Sequence, residues 1–218
     1  MKGLLVKDFR FLLGQKSSFL VFIGIGLYFL LTGVDVSFAM IFTVMMASIV
    51  ATSSISYDNF DNGMAFLLTL PIQKKTYVLS KYILSLLVVL VMGGVIILLA
   101  VIGANMGMEH LNLTDLKGAL VVAGVFATVL LAFMIPIYII FGGEKARVAM
   151  IAVYGIAAAI VLLVKALVGD VEAAANELFA KLSALSNWQL ALLGVGIMVV
   201  LLAVSMIISM IGLEKKEY

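Results

Sequence analysis

Apolar runs, each close to the length of a bilayer crossing, recur along this sequence and constrain its fold more than any other feature. A crossing helix needs roughly 20 mostly apolar residues at about 1.5 Å of rise each. Such runs read as Phe19 to Val34, Val36 to Ser56, Tyr77 to Ala104, Gly118 to Phe141, Val148 to Val168 and Trp188 to Leu213. The first is short, and its junction with the second around Gly33 and Asp35 is tight. Of 218 residues, 65% are hydrophobic and only 12% are charged. A soluble domain carries about a quarter charged residues, and no soluble core hides this much apolar surface. Lipid can, because it is itself an apolar solvent. The expectation is an all-α integral membrane protein, a single domain over residues 1–218 with six transmembrane helices. The first run ends in Thr32-Gly33-Val34-Asp35, which is no small-residue cleavage pattern, so it is expected to stay in the mature chain.

Residues 1–16 precede the first run. At about 100° per residue, Leu5, Val6, Phe9, Leu12 and Leu13 share one face, with Lys7 and Arg10 opposite. This predicts an amphipathic interfacial helix with basic groups toward lipid phosphates. The alternative is the frayed start of the first span. Orientation follows from lysine and arginine. The N-terminal segment, the loop after the second run (Lys74, Lys75, Lys81), Lys145, Arg147, Lys215 and Lys216 carry 11 of the 14 basic residues. Acidic residues divide six against six, so the asymmetry belongs to the basic residues. The richer side is expected to be cytoplasmic, with both termini there, in a bacterial plasma membrane.

What the runs lack excludes several functions. No ionisable residue falls in the middle of any run; Lys165 comes closest and can snorkel outward. Ion-coupled carriers need such groups, and intramembrane proteases need paired aspartates, a serine–histidine pair or a metal cluster. There is no cysteine and one histidine, His110, which rules out thiolate chemistry and a multi-histidine metal site in one chain. No Gly-x-x-x-x-Gly-Lys-Ser/Thr phosphate loop occurs, so no ATP hydrolysis by this chain is expected. Two local features carry alternatives. Pro136, which frees the carbonyl of Ala132, is a hinge or cavity wall, or an ordinary membrane-helix proline. Gly103-x-x-x-Gly107 is a weak helix-packing signal at a run's end.

The most informative polar segment spans residues 57–76. Asp61 can cap a short helix over Asn62 to Leu70, ended by Pro71. Met64, Phe66, Leu67, Leu68 and Leu70 then lie on the charged side of the membrane. They form either a partner surface or a lipid-lying helix, and both bury the same apolar area.

Asp58, Asp61, Gly63, Leu67, Leu70, Pro71, Ile72, Lys74, Lys75, Tyr77, Val78, Ser80 and Lys81 give this segment its pattern. An acidic stretch and glycine precede Leu-x-x-Leu-Pro-Ile, two basic residues and Tyr-Val-Leu-Ser-Lys-Tyr. The pattern resembles permease subunits of type-2 ATP-binding-cassette (ABC) exporters. Within them it is most similar to small bacterial six-span permeases exporting phenol-soluble modulins or lantibiotic-like peptides. A lysine stands where many relatives have arginine after Leu-Pro-Ile-x. The resemblance implies a coupling helix that docks in a groove of a separate ATPase. Asp58, Asp61, Gly63, Met64, Phe66, Leu67, Leu70 and Pro71 are its candidate docking residues. Phe9, Arg10, Lys74, Lys75 and Lys81 are candidate interfacial residues, and the N-terminal helix is implied to brace the docking interface. It further implies two permeases per transporter, identical or mixed, with ATP and magnesium bound by the ATPase and no cofactor in this chain. The cargo implied is an amphipathic peptide or a lipid-like molecule, surrounded by membrane lipid, with no nucleic acid involved.

An amphipathic stripe of Val171, Ala175, Leu178, Leu182 and Leu185 in the outer loop over 169–187 fits this plan by resting on the outer leaflet or capping an exit. The rival reading is a membrane immunity or sensor protein that binds a cytoplasmic partner through the same loop without a translocation path.

Overall fold

The computed structural model describes residues 2–60, 63–70, 72–108, 113–143, 145–146, 148–153, 155, 159, 162 and 187–216. Seven helices have both ends among them: α1 (Lys2–Gly14), α2 (Lys16–Leu31), α3 (Val36–Asn59), α4 (Gly63–Thr69), α5 (Lys74–Asn105), α6 (Leu113–Phe141) and α7 (Asn187–Glu214). Among the described residues, α3, α5, α6 and α7 are long and apolar enough to cross a membrane. The pair α1 and α2, bent by 63°, is a fifth candidate if taken as one span. The run Val148 to Val168 falls largely outside the described residues, and so does the expected outer loop as far as residue 186.

The helix ends follow local chemistry. Gly33 ends α2 at φ 77°, a left-handed conformation that glycine adopts without Cβ strain. The Val34 N–H reaches back to the Phe29 carbonyl at 3.1 Å. Asp35 then caps α3 by accepting from the Ser37 N–H at 2.7 Å. Hydrogen bonding to Ser37, side chain first and backbone next, holds the Asp35 carboxyl below the usual carboxylate range. The glycine pair at 103 and 107 is a helix stop, not a packing motif. Gly107 lies beyond α5 at φ 86°, with its N–H on the Ala104 carbonyl and the Met108 N–H on the Gly103 carbonyl, both at 3.2 Å.

Helix α3 is the centre of the bundle, with contacts to α2, α5 and α6. It carries hydroxyl residues that would be costly in an apolar interior. Buried Thr43, Ser48 and Thr52 instead donate to carbonyls one turn back, Ala39, Val44 and Ser48, at 2.8–2.9 Å. Within the bundle, Gly26 and Gly212 permit close approach. A Cβ on Gly26 would sit 2.7 Å from both Ile96 Cδ1 and Thr43 Oγ1. One on Gly212 would sit 2.9 Å from Ile140 Cδ1 and collide with Ile140 Cγ1.

Leu4, Ile55, Met64, Tyr77, Ile139 and Leu213 share one apolar cluster. Both ends of the described chain therefore lie at one end of the bundle. Leu30, Val36, Ile96, Ala100 and Leu116 pack at the other. Helices α6 and α7 run parallel: Gly124 faces Met198, the Ala132 carbonyl bonds Ser205, and Ile140 meets Gly212.

Candidate functional site

The end of the bundle that holds both termini gathers the polar chemistry. On α1 the buried residues are Leu4, Asp8 and Leu12, one helical turn apart, while Val6, Phe9 and Leu13 are about half exposed. The face against the protein thus carries a carboxylate at its centre, and the most apolar face looks outward. Asp8 is buried beside Lys81 of α5, whose Nζ donates to Asp8 Oδ1 and Oδ2 at 2.8 Å each. The same ammonium lies 2.7 Å from Asp58 Oδ2 on α3 and 3.2 Å from Ser54 Oγ. The Tyr77 hydroxyl donates to Asp58 Oδ2 at 3.0 Å, and Lys7 pairs with Asp58 Oδ1. Two carboxylates and two ammonium groups balance, and only Lys7 keeps partial solvent access, at 37%. A buried charge is tolerated when paired and hydrogen-bonded like this. The cluster fastens α1, α3 and α5 together.

Lys81 was expected at the membrane interface, yet it is 1% exposed. Its reason is the unmet Asp8 and Asp58 carboxylates, which hold it inside α5's second turn. Asp58 was expected on the docking loop. Helix α3 runs past the apolar run to Asn59, which draws Asp58 into the bundle. Lys74 is also occupied. Its Nζ donates to the Leu213 and Lys216 carbonyls at 3.1 Å and to that of Glu214 at 3.3 Å, capping α7. Lys75, Arg10 and Phe9 are exposed.

Helix α4 rests on this cluster. A Cβ at Gly63 would lie 2.9 Å from the Asp58 carbonyl oxygen, so only glycine lets α4 start this close to α3. Met64, expected on the docking face, is 1% exposed and packs in the core, where Leu67 joins it one turn on. Phe66 is 69% exposed and Leu70 41%, on the opposite side. Beside them a recess of about 490 Å³ is lined by Lys7, Tyr57, Phe60, Gly63 and Phe66, among others. Asp61 and Pro71 lie outside the described residues.

A second polar group lies deeper, where Pro136 frees the Ala132 carbonyl. The Ser205 hydroxyl of α7 donates to it at 2.6 Å. Ser205 Oγ is also 2.6 Å from the Tyr82 hydroxyl, and Ser209 Oγ is 3.0 Å from it. A hydroxyl has one hydrogen, so Tyr82 donates to Ser205 and accepts from Ser209. This network joins α5, α6 and α7.

Sequence reasoning missed Asp8, Ser54, Tyr82 and Ser205, and it directed Lys7 toward lipid phosphates whereas Lys7 pairs with Asp58. For Asp8, the Leu4-x-x-x-Asp8-x-x-x-Leu12 spacing was the available signal. No curated protein and no solved structure matches the chain. The family model described as ABC-2 family transporter protein matches residues 3–214, which span all seven helices. By that match the chain belongs to the ABC-2 family of transporter proteins and is a multi-pass membrane permease subunit that works with an ABC ATPase.

Proposed function

We propose that this chain is one of two permeases in a bacterial ABC exporter, and that α4 transmits movement from the ATPase into the bundle. The observation that carries the reading is the division of α4: Met64 is buried against the bundle while Phe66 stands 69% exposed. An anchor of that kind fills a partner's groove, and aromatic anchors dominate many interfaces. A push on α4 reaches Asp58 through the contact at Gly63, and Asp58 is tied through Lys7 and Lys81 to α1 and α5. The ion cluster thus makes three helices answer one displacement.

Six crossings and cytoplasmic termini belong to the same proposal. The parallel course of α6 and α7 supports a further crossing between them, which the apolar run Val148 to Val168 would supply. The excess of basic residues at the end holding α1 and α4 supports its cytoplasmic placement. There α1 lies in the interface and braces α4. The cargo, an amphipathic peptide or lipid-like molecule moved outward, rests on the resemblance and on spans without central charges. ATP and magnesium sit in the ATPase.

Phe66→Asp tests the coupling role. Burying an aromatic contributes about 2 kcal/mol, and an unpaired carboxylate in the groove costs more. The variant is expected at normal membrane levels, without co-purifying ATPase and without efflux of an amphipathic peptide. Phe66→Leu should keep most of both. If Phe66→Asp holds its ATPase and exports, α4 is not the docking element.

A further inference from the structure

The 63° bend between α1 and α2 leaves a concave angle against the flank of α5. Two adjoining recesses of about 370 and 440 Å³ occupy it, sharing Phe9, Leu13 and Leu87. Each falls within the roughly 300–1,000 Å³ of small-molecule sites. Half-exposed apolar side chains are ordinary on a lipid-facing wall, so exposure alone says little. Two things set this cleft apart. It is recessed, with Leu12, Val88 and Met92 buried in its floor. Its polar margin is also of one sign. Lys16 lines one recess and Arg10 the other, and no acidic side chain lines either among the described residues. Both cations are exposed, and among the described residues neither has an ion-pair partner. Lys7, on the same helix, is by contrast taken up by Asp58.

We infer that this cleft is a binding site for an anionic membrane glycerophospholipid. An acyl chain lies against Phe9, Leu13 and Leu87, and the headgroup phosphate meets Arg10 and Lys16. The occupant follows from the lining. A free phosphate gains nothing from the apolar floor, and a net-neutral phospholipid gains less from the two cations because its own ammonium offsets its phosphate. Each basic group near an anionic lipid strengthens binding by roughly fivefold. A bound lipid would wedge the α1–α2 elbow at its observed angle and hold Asp8, on the inner face of α1, against Lys81.

The chain has no cysteine, so Leu87→Cys carries a single photoreactive benzophenone. The full-length labelled protein is placed in nanodiscs of equal phosphatidylglycerol and phosphatidylethanolamine, irradiated, and its adducts weighed by mass spectrometry. Phosphatidylglycerol adducts should dominate by roughly tenfold or more, given two cations at about fivefold each. R10Q/K16Q should bring the ratio near one while leaving thermal melting in lipid-free detergent unchanged. K117Q, an exposed lysine on α6, should leave the ratio intact. Equal labelling in the unmodified background, or an unchanged ratio in R10Q/K16Q, would overturn the site. So would a comparable fall in K117Q, which means diffuse surface charge. An adduct to a second copy, or no lipid adduct at all, would also overturn it, the former marking a permease–permease contact.

Discussion

Replacing Lys81 by methionine is expected to destabilise the protein far more than any exposed lysine would. The side chain is 1% exposed, and methionine roughly keeps its length. What goes is the ammonium between Asp8 and Asp58, whose side chains are 1% and 3% exposed. Asp58 retains Lys7 and the Tyr77 hydroxyl. Asp8 retains only Lys7, at 3.4 Å. Two buried carboxylates then share one cation. Removing one partner from a buried ion pair costs roughly 3–5 kcal/mol. At roughly 2–4 °C per kcal/mol for a chain of this size, melting should fall by about 6–20 °C. The assay is thermal unfolding of the purified chain in detergent, followed by tryptophan fluorescence. Asp8→Leu on top of Lys81→Met restores charge balance and continues the Leu4–Leu12 stripe, so it should recover at least half of the loss. Lys75→Gln, at an exposed lysine, should change stability by no more than about 0.5 kcal/mol. Lys81→Met melting within 2 °C or so of the parent would refute a buried pairing of the strength argued here. A double variant weaker than Lys81→Met would show that packing, not charge, sets the cost.

Ser205→Ala should cost about 1–3 kcal/mol, because it strands the Ala132 carbonyl beside Pro136 and removes Tyr82's acceptor; Pro136→Ala in that background should recover part of the loss by restoring the helical donor, and melting of the two variants checks it. Gly212→Leu should cost about 1–3 kcal/mol of stability through collision with Ile140, read as a lower melting temperature, whereas Gly194→Leu, with open space around it, should not. Single cysteines report topology: an impermeant maleimide should label Lys117→Cys in intact cells and Lys75→Cys only after the membrane is opened, and the reverse pattern would invert the proposed orientation.

Hydropathy located the long helices because burial in lipid is a property of each segment alone. Their ends were less legible. The second apolar run stops at Ser56, yet α3 continues to Asn59. The extra turn is held by tertiary bonds to Asp58 and by Asn59 Nδ2, which donates to the Ile55 carbonyl at 2.8 Å. The periodicity of α1 showed an amphipathic helix but not which face meets protein. A carboxylate looks solvent-facing until its partner is known, and Asp8's partner lies 73 residues away. The same holds for Tyr82 and Ser205, 123 residues apart. For α4, the split between Met64 and Phe66 depends on where Gly63 meets α3, which no local spacing encodes. Pro136 was legible as a freed carbonyl, but its acceptor role for α7 was not.

The first turns of α5 then explain how so apolar a bundle can move as a unit. Lys74 caps the end of α7, Tyr77 and Lys81 reach Asp58 and Asp8 toward α3 and α1, and Tyr82 reaches Ser205 and Ser209 toward α7. Lys81 and Tyr82 are adjacent and so point about 100° apart on the helix. That angle lets one turn serve both halves of the bundle. Apolar contacts are non-directional and tolerate sliding, whereas buried ion pairs and hydroxyl networks hold only in one arrangement. These two polar groups therefore fix the relative registers of α1, α3, α5, α6 and α7, while the apolar contacts toward the far end leave the helices freer to shift. Movement of the bundle is therefore most restricted beside α4, where these polar contacts gather, and least restricted at the opposite end.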